Sequence, residues 1–220
     1  MIGAISSEIR LVVFDWDGTL ADSLGRIIDC LQLAAQRHQL PEPTVAAARD
    51  IVGLSLVVAI DRLWPGVSPE LNAQLIESYS EFYEAHTPGP CPFYDGAEQM
   101  LEQLLAADFT LAVATGKRRQ GLDESLQGLN AHRWFAASRC ADETASKPDP
   151  LMLLELMEEL GVSPEQTVMV GDSEYDMQMA KNAGVHRLAV SFGAHHRERL
   201  QPYELLGCVD HLSELPVLLK

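Results

Sequence analysis

The stretch Leu11-Val12-Val13-Phe14-Asp15-Trp16-Asp17-Gly18-Thr19-Leu20 constrains the fold more than any other part of the chain. It opens on four apolar residues, three of them β-branched or aromatic, the composition of a strand covered on both faces. Two aspartates one residue apart follow, then Gly18 and Thr19. If the strand continued, Asp15 and Asp17 would point to the same side of the sheet. Gly18 instead favours a bend. Either way two carboxylates gather at the carboxyl end of a buried strand, where open α/β sheets bind ligands. Close carboxylates repel and need a shared proton or a cation. A hard divalent ion such as Mg²⁺ would satisfy them; the alternative is an acidic turn facing water.

The chain is long enough for one large domain or a domain with an insert, 220 residues with 47% apolar, which supports a real core. Its net charge of −16 opposes binding to nucleic acid or an anionic membrane, because phosphates would be repelled. A phosphorylated small molecule remains compatible if a local basic site and a metal offset that field. Cys30, Cys91, Cys140 and Cys208 form no Cys-x-x-Cys pair, so thiols in a reducing, cytoplasmic setting are expected rather than zinc or disulfides. The first ten residues carry Glu8 and Arg10 and read as no secretory signal. The apolar-rich run from Ile51 to Ile60 is too short to span a bilayer.

Beyond Leu20 the period becomes helical. Ile27, Ile28, Leu31 and Ala35 recur at spacings of three and four, with Asp22 or Ser23 as N-cap, and Pro41 and Pro43 end the helix. Residues 46–63 form a second helical region interrupted by Gly53, and residues 69–85 a third. A breaker-rich link spans residues 87–92. Strands and helices then alternate: helix 95–107, strand 109–114, helix 118–129, strand 134–140, helix 150–160 closed by Gly161, strand 166–170, helix 174–183 closed by Gly184, and strand 186–190. A short strand near Cys208-Val209 and a helix from Ser213 complete the tail. The expected fold is α/β, a Rossmann-like parallel sheet with helices on both faces, formed by residues 1–20 and 90–220, with an inserted α-helical cap at 21–89.

The functional signal lies in where polar groups fall. One strand ends in Asp15 and Asp17, the next in Thr115-Gly116-Lys117, a later one in Gly171-Asp172-Ser173 with Asp176 four residues after Asp172. Parallel strands share one carboxyl edge, so these groups converge. Ser146-Lys147-Pro148 adds a lysine in a proline-stiffened loop at a helix start. Carboxylates for a metal, with lysine, hydroxyl and loop amides for phosphate oxygens, fit phosphoryl transfer, and one carboxylate is left to attack phosphorus.

On these motifs, Asp15-Trp16-Asp17-Gly18-Thr19, Thr115-Gly116-Lys117, Lys147-Pro148 and Gly171-Asp172-Ser173-x-x-Asp176, the chain resembles the haloacid dehalogenase superfamily of phosphatases over nearly its whole length. Asp15 to Thr19 leading into Ala21-Asp22-Ser23, and Val52-Gly53-Leu54 in the cap, resemble its phosphoglycolate phosphatase-like members. The resemblance implies Asp15 as nucleophile and Mg²⁺ ligand, and Asp17 as general acid and base with its carbonyl on the metal. It implies Thr115 and the Gly116 amide as phosphate ligands, Lys147 as the charge that neutralises Asp15 and phosphate, Asp172 as the third protein ligand and Asp176 as orienting the metal shell.

The expected substrate is a small phosphorylated metabolite, hydrolysed through an aspartyl-phosphate by a monomer or homodimer. A sugar phosphomutase of the β-phosphoglucomutase kind usually carries a basic residue after the cap glycine, where this chain has Leu54-Ser55-Leu56. A dehalogenase does without Asp17. A non-catalytic module keeping the fold would not need the intact acid/base and metal set. The loop from Arg49 to Ser55, with Gly53 and Leu54, is expected to face the site when the cap closes. His195-His196 reads as a solvated loop, Trp16 as packing, and Tyr79, Phe82 and Tyr83 as the core of the cap.

Overall fold

A computed structural model describes residues 9–86 and 89–219. Residues 1–8, most of the stretch read as carrying no secretory signal, and the Thr87-Pro88 part of the breaker-rich link lie outside the described residues. Six parallel strands, β1 (Leu11–Phe14), β2 (Thr110–Thr115), β3 (Ala137–Cys140), β4 (Thr167–Gly171), β5 (His186–Val190) and β6 (Gly207–Val209), form one sheet in the order β3-β2-β1-β4-β5-β6. β1 is central and its four residues are fully buried. Alternation sends Val12 and Phe14 into one core and Leu11 and Val13 into the other, so each face needs its own layer of helices. Helices α5 (Ala97–Ala106) and α6 (Arg119–Gly128) cover the first face, α7 (Leu151–Leu160) and α8 (Glu174–Ala183) the second. Phe14 pairs with Val113 on one side and Val170 on the other, so β1, β2 and β4 end nearly level. The chain builds outward from β1 to β3, then returns to β4 on β1's other side. The crevice at this switch point is where such sheets place ligands.

The inserted cap is helical: α1 (Leu24–Arg37), α2 (Val45–Asp50), α3 (Leu56–Leu63) and α4 (Pro69–His86). α1 is strongly amphipathic, burying Leu24, Ile27, Ile28, Leu31, Ala34 and Ala35. Each of its larger apolar side chains is worth about 1.5–3 kcal/mol on burial. Ala34 and Ala35 cluster with Ile60, Trp64 and Leu75, and Leu31 with Ala48, Ile51 and Ala59. The two chain segments joining cap to sheet pair with each other: Ala21 bridges Phe93, Asp22 N–H donates to Pro92 O at 2.9 Å, and Tyr94 N–H to Leu20 O at 2.8 Å.

Several local expectations shift. The region 46–63 splits into α2 and α3 around a loop centred on Gly53, as its glycine foretold. Ser23 occupies the N-cap of α1 without a side-chain capping bond, because its hydroxyl is spent on Asp17. The strand expected from Trp134 begins only at Ala137, since His132–Trp134 form a 3₁₀ turn that tucks Trp134 against Phe93. The helix expected from Ser213 is a 3₁₀ turn, Leu212–Glu214, followed by α10 (Leu215–Leu218), and a further short helix, α9 (Arg197–Leu200), follows β5. Trp16 is a packing residue, its ring 5.7 Å from Phe93 and 6.2 Å from Phe135.

Candidate active site

Asp15 follows β1 directly, Asp172 follows β4, and Asp176 lies in the first turn of α8. All three are buried, and one carboxylate oxygen from each lies within 4.8 Å of the others. Lys147, also wholly buried, places its Nζ 2.7 Å from Asp15 Oδ1 and 2.7 Å from Asp176 Oδ1. The other oxygen of Asp176 accepts from Ser173 N–H at 3.0 Å and Ser173 Oγ at 2.6 Å. Asp172 accepts from Thr19 Oγ1 at 3.2 Å and Ala194 N–H at 2.5 Å. Asp15 is different. Beyond its ion pair with Lys147, neither of its oxygens receives a hydrogen bond of good geometry.

Burial pushes the Asp15 carboxyl well above its ordinary range; Lys147 pulls it down, and Asp176 and Asp172 push it further up. Burial likewise lifts Asp172, to about 7, with Asp176 adding to the rise and Ala194 N–H, Lys147 and Thr19 opposing it. Burial works against the charge on Lys147, but Asp15 and Asp176 outweigh it and hold the ammonium above its ordinary pKa. Three carboxylates thus face one ammonium. The excess of two negative charges, the all-oxygen donor set and the undercoordinated Asp15 fit a hard divalent cation.

The carboxylate of Asp17 stands outside this cluster. The strand ends at Phe14, so Asp17 no longer follows its alternation. Its Oδ1 accepts from Ser23 Oγ at 2.7 Å, and Lys117 Nζ reaches Oδ1 at 3.1 Å and Oδ2 at 3.2 Å. Burial works to lower the Lys117 pKa, and the charge of Asp17 more than compensates, raising it. Lys117 Nζ also lies 3.4 Å from the hydroxyl of Tyr83 and 4.8 Å from its ring centre, which ties the acid to cap helix α4.

Asp15, Asp17, Thr115 and Gly116 line one cavity of about 1300 Å³ between sheet and cap. Val52, Gly53 and Leu54 form part of its wall, in the α2–α3 loop. Contact there is close. A Cβ on Gly116 would meet Leu54 O at 2.5 Å and Gly53 O at 2.7 Å. Gly53 adopts φ +99°, and a Cβ there would meet Ser173 Oγ at 2.9 Å. Ser55 N–H donates to Ser146 Oγ at 2.9 Å, beside Lys147. Arg49 lies apart from the cavity lining, its guanidinium on the carbonyls of Gly193 and Ala194. Next to it Tyr175 OH donates to Asp50 O at 2.7 Å and receives a bond from Arg62 at 2.7 Å.

The structure therefore gathers Asp15, Asp172, Asp176 and Lys147 in one buried cluster and sets Asp17, Thr115, Gly116, Gly53 and Leu54 around the cavity beside it. Sequence reasoning missed Thr19, Ser23, Lys117, Ser173 and the Ala194 amide as partners of these carboxylates. Thr19, Lys117 and Ser173 sit inside the motifs themselves, and that was the available signal. The solvated reading of His195 is corrected: it is 2% exposed, and its Nδ1 accepts from Glu174 N–H at 3.0 Å. The loop carrying it folds over the end of β4 to deliver the Ala194 amide to Asp172, and this buries the ring against Tyr175 at 5.4 Å. Tyr79 and Phe82 pack within the cap as expected, but Tyr79 also lines the cavity, as does Tyr83, which reaches Lys117 as well.

Comparison with known proteins agrees with this geometry. The model of the haloacid dehalogenase-like hydrolase family matches residues 12–190. A phosphoglycolate phosphatase of Vibrio vulnificus (strain CMCP6) is 32% identical over 216 residues, covering 94% of this chain and 95% of that protein. A phosphoglycolate phosphatase of Vibrio cholerae is 34% identical over 199 residues, covering 87% and 88%. A solved haloacid dehalogenase-like family hydrolase of Streptococcus pneumoniae superposes with a TM-score of 0.84 at 21% identity, covering 96% of this chain and 99% of that one, which speaks for the fold alone. The chain belongs to the haloacid dehalogenase-like hydrolase family and is a phosphatase of that family.

Proposed function

We propose that the protein hydrolyses a small phosphorylated metabolite of the phosphoglycolate kind, through an aspartyl-phosphate on Asp15 and with Mg²⁺ as its metal. The observation that carries the reading is Asp15 itself: a buried carboxylate in the cavity wall whose ion-pair partner is the Lys147 ammonium, with no other donor on its oxygens among the described residues and two further carboxylates beside it. A carboxylate so unencumbered is free to act as a nucleophile. Asp15, Asp172 and the carbonyl of Asp17 would hold the metal, with Asp176 orienting its shell from the side. When bound, the ion supplies Lewis-acid charge that offsets the phosphoryl oxygens.

An Asp15 oxygen attacks phosphorus, and the bond from phosphorus to the leaving alcohol breaks. Asp17 supplies the proton to that leaving oxygen. In the second half Asp17 takes a proton from water, the water oxygen attacks phosphorus, and the bond from phosphorus to Asp15 breaks, returning the carboxylate and releasing phosphate. Thr115 Oγ1 and the Gly116 amide hold phosphoryl oxygens. Lys147, behind Asp15, favours the ionised form of the nucleophile against the burial that raises its pKa, and holds it in position between attacks. Residues 21–89 act as the cap, and the 49–55 loop excludes water when it lies against Gly116.

The test is release of inorganic phosphate from a panel of phosphomonoesters, 2-phosphoglycolate included, by the protein with Mg²⁺. Asp15→Asn should lose on the order of 10³-fold or more in kcat while keeping its circular dichroism. No release from any ester by the wild-type protein, or substantial turnover by the folded variant, would overturn the reading.

A further inference from the structure

Lys117 has no place in the phosphoryl chemistry just described, yet it is the best-placed cation in the cavity. Four cationic side chains line that cavity among the described residues: Arg26, Lys117, Arg118 and Arg119. Arg119 is committed to Glu143, through Nε at 2.8 Å and Nη2 at 2.7 Å, and to Ser138. Arg118 is 62% exposed and 3.9 Å from Asp142. Arg26 donates to Gly89 O at 3.0 Å. Lys117 alone of the four touches Asp17, at 3.1 Å, and its side chain is only 11% exposed.

We propose that Lys117 determines leaving-group specificity by receiving a second negative charge on the alcohol being released, so that the preferred substrates are phosphomonoesters of small anionic alcohols. The proposal rests on the phosphatase reading above, in which Asp17 hands its proton to the leaving oxygen. A group within hydrogen-bond reach of Asp17 is therefore next to the leaving alcohol. A carboxylate one carbon from that oxygen comes within reach of the same Nζ. The rest of the wall makes such a cation necessary. Asp15, Asp17, Glu84, Asp123, Glu124 and Asp142 all line the cavity, in a chain of net charge −16. An anionic alcohol entering that field without a local positive charge would be repelled.

The surroundings also fix where the charge sits. The Tyr83 ring lies 4.8 Å from Lys117 Nζ on one approach and 5.2 Å from the Arg26 guanidinium on another. The ring thus keeps the lysine stem from swinging outward. Because Tyr83 belongs to α4 of the cap, the lysine is held between the sheet, through Asp17, and the cap. A mostly buried ammonium acts through a low local dielectric, where a charge pair discriminates far better than at a surface.

The experiment compares kcat/KM for three phosphomonoesters of similar size that differ in leaving-group charge: 2-phosphoglycolate, ethyl phosphate and phosphoethanolamine. It uses the full-length wild type, Lys117→Met and Lys117→Arg, all with Mg²⁺. The wild type should prefer the carboxylate ester to the neutral one and the neutral one to the cationic one. Lys117→Met should cut the carboxylate-over-neutral preference on the order of 30-fold, the scale of removing one partner of a buried charge pair, mostly through KM. Lys117→Arg should restore part of it. Equal losses on all three esters in Lys117→Met would mean that the lysine only orients Asp17, and would overturn the proposal while leaving the phosphatase reading intact. A wild type that hydrolyses the esters without ranking them by charge would do the same. No turnover of any ester by the wild type would overturn the phosphatase reading itself.

Discussion

Replacing Gly116 by alanine should separate cap closure from the chemistry beneath it. The added Cβ would lie 2.5 Å from Leu54 O and 2.7 Å from Gly53 O. Both are backbone atoms, so no side chain can swing aside. Ordinary contact begins near 3.4 Å, and the loop must therefore retreat by about 0.9 Å. Gly116 does not use a left-handed conformation, so alanine suits its backbone and β2 should be undisturbed. The Gly116 amide is also preserved. A displacement near 1 Å in a positioning element can cost about 10²-fold in rate. We expect kcat/KM for the preferred phosphomonoester to fall on that scale, with a smaller loss for acetyl phosphate, which needs no cap to be a good phosphoryl donor. The retreat should also break the bond from Ser55 N–H to Ser146 Oγ, so amide exchange at Ser55 should quicken. A variant with kcat/KM within about twofold of wild type and unchanged Ser55 exchange would show that this contact does not matter.

Chelation should silence the enzyme and Mg²⁺ should restore it, with Ca²⁺ a poor substitute because its looser shell misplaces the nucleophile; full phosphate release in excess chelator would contradict this. Asp17→Asn should slow aspartyl-phosphate formation more for alkyl than for nitrophenyl esters and slow its hydrolysis for both, measured in single turnover; equal losses in the first step would remove Asp17 as the acid. Stability of the chelated protein should depend on pH through the buried carboxylates. The pKa of Asp172 is raised to about 7 in the fold and that of Asp15 is raised well above its ordinary range. The folded state then holds protons that the unfolded chain releases, and stability is lost as pH rises from about 4 through 7. The Tm without metal should fall between about pH 4 and 7 (roughly the interval over which those protons leave) and flatten when Mg²⁺ is added; a metal-free Tm that rises over that interval would refute the charge imbalance.

Much of this was legible because it rests on local pattern. Leu11–Phe14 is apolar without alternation, and only a central strand needs that. The aspartates at 15, 172 and 176 meet because parallel strands share an edge, which follows from strand order alone. Gly53 broke the 46–63 region where its backbone had to turn. What could not be read depends on contacts between distant segments. Asp17 and Lys117 are 100 residues apart and Thr19 and Asp172 153 apart; strand order brings their segments to one edge, but which side chain bonds to which depends on how the loops beyond the strands fold. From sequence His195 reads as solvated because the metal site is already supplied with oxygen ligands; what buries it is the loop that brings the Ala194 amide to Asp172. Trp134 left its expected strand because packing against Phe93 outweighed local β-propensity.

The pairing of Ala21 with Phe93 has a consequence for how such proteins diversify. Residues facing each other across an antiparallel bridge stand about 4.5–5.5 Å apart. The chain therefore leaves the sheet and returns to it at almost one point, however much polypeptide lies between. Whatever fills that gap adds no strain to β1 or β2 and closes only its own loop, a cost that grows slowly with length. The insert is in this sense a replaceable part: a longer, shorter or differently folded segment could be grafted at the same two residues, changing what is admitted while Asp15, Lys147, Asp172 and Asp176 stay where they are.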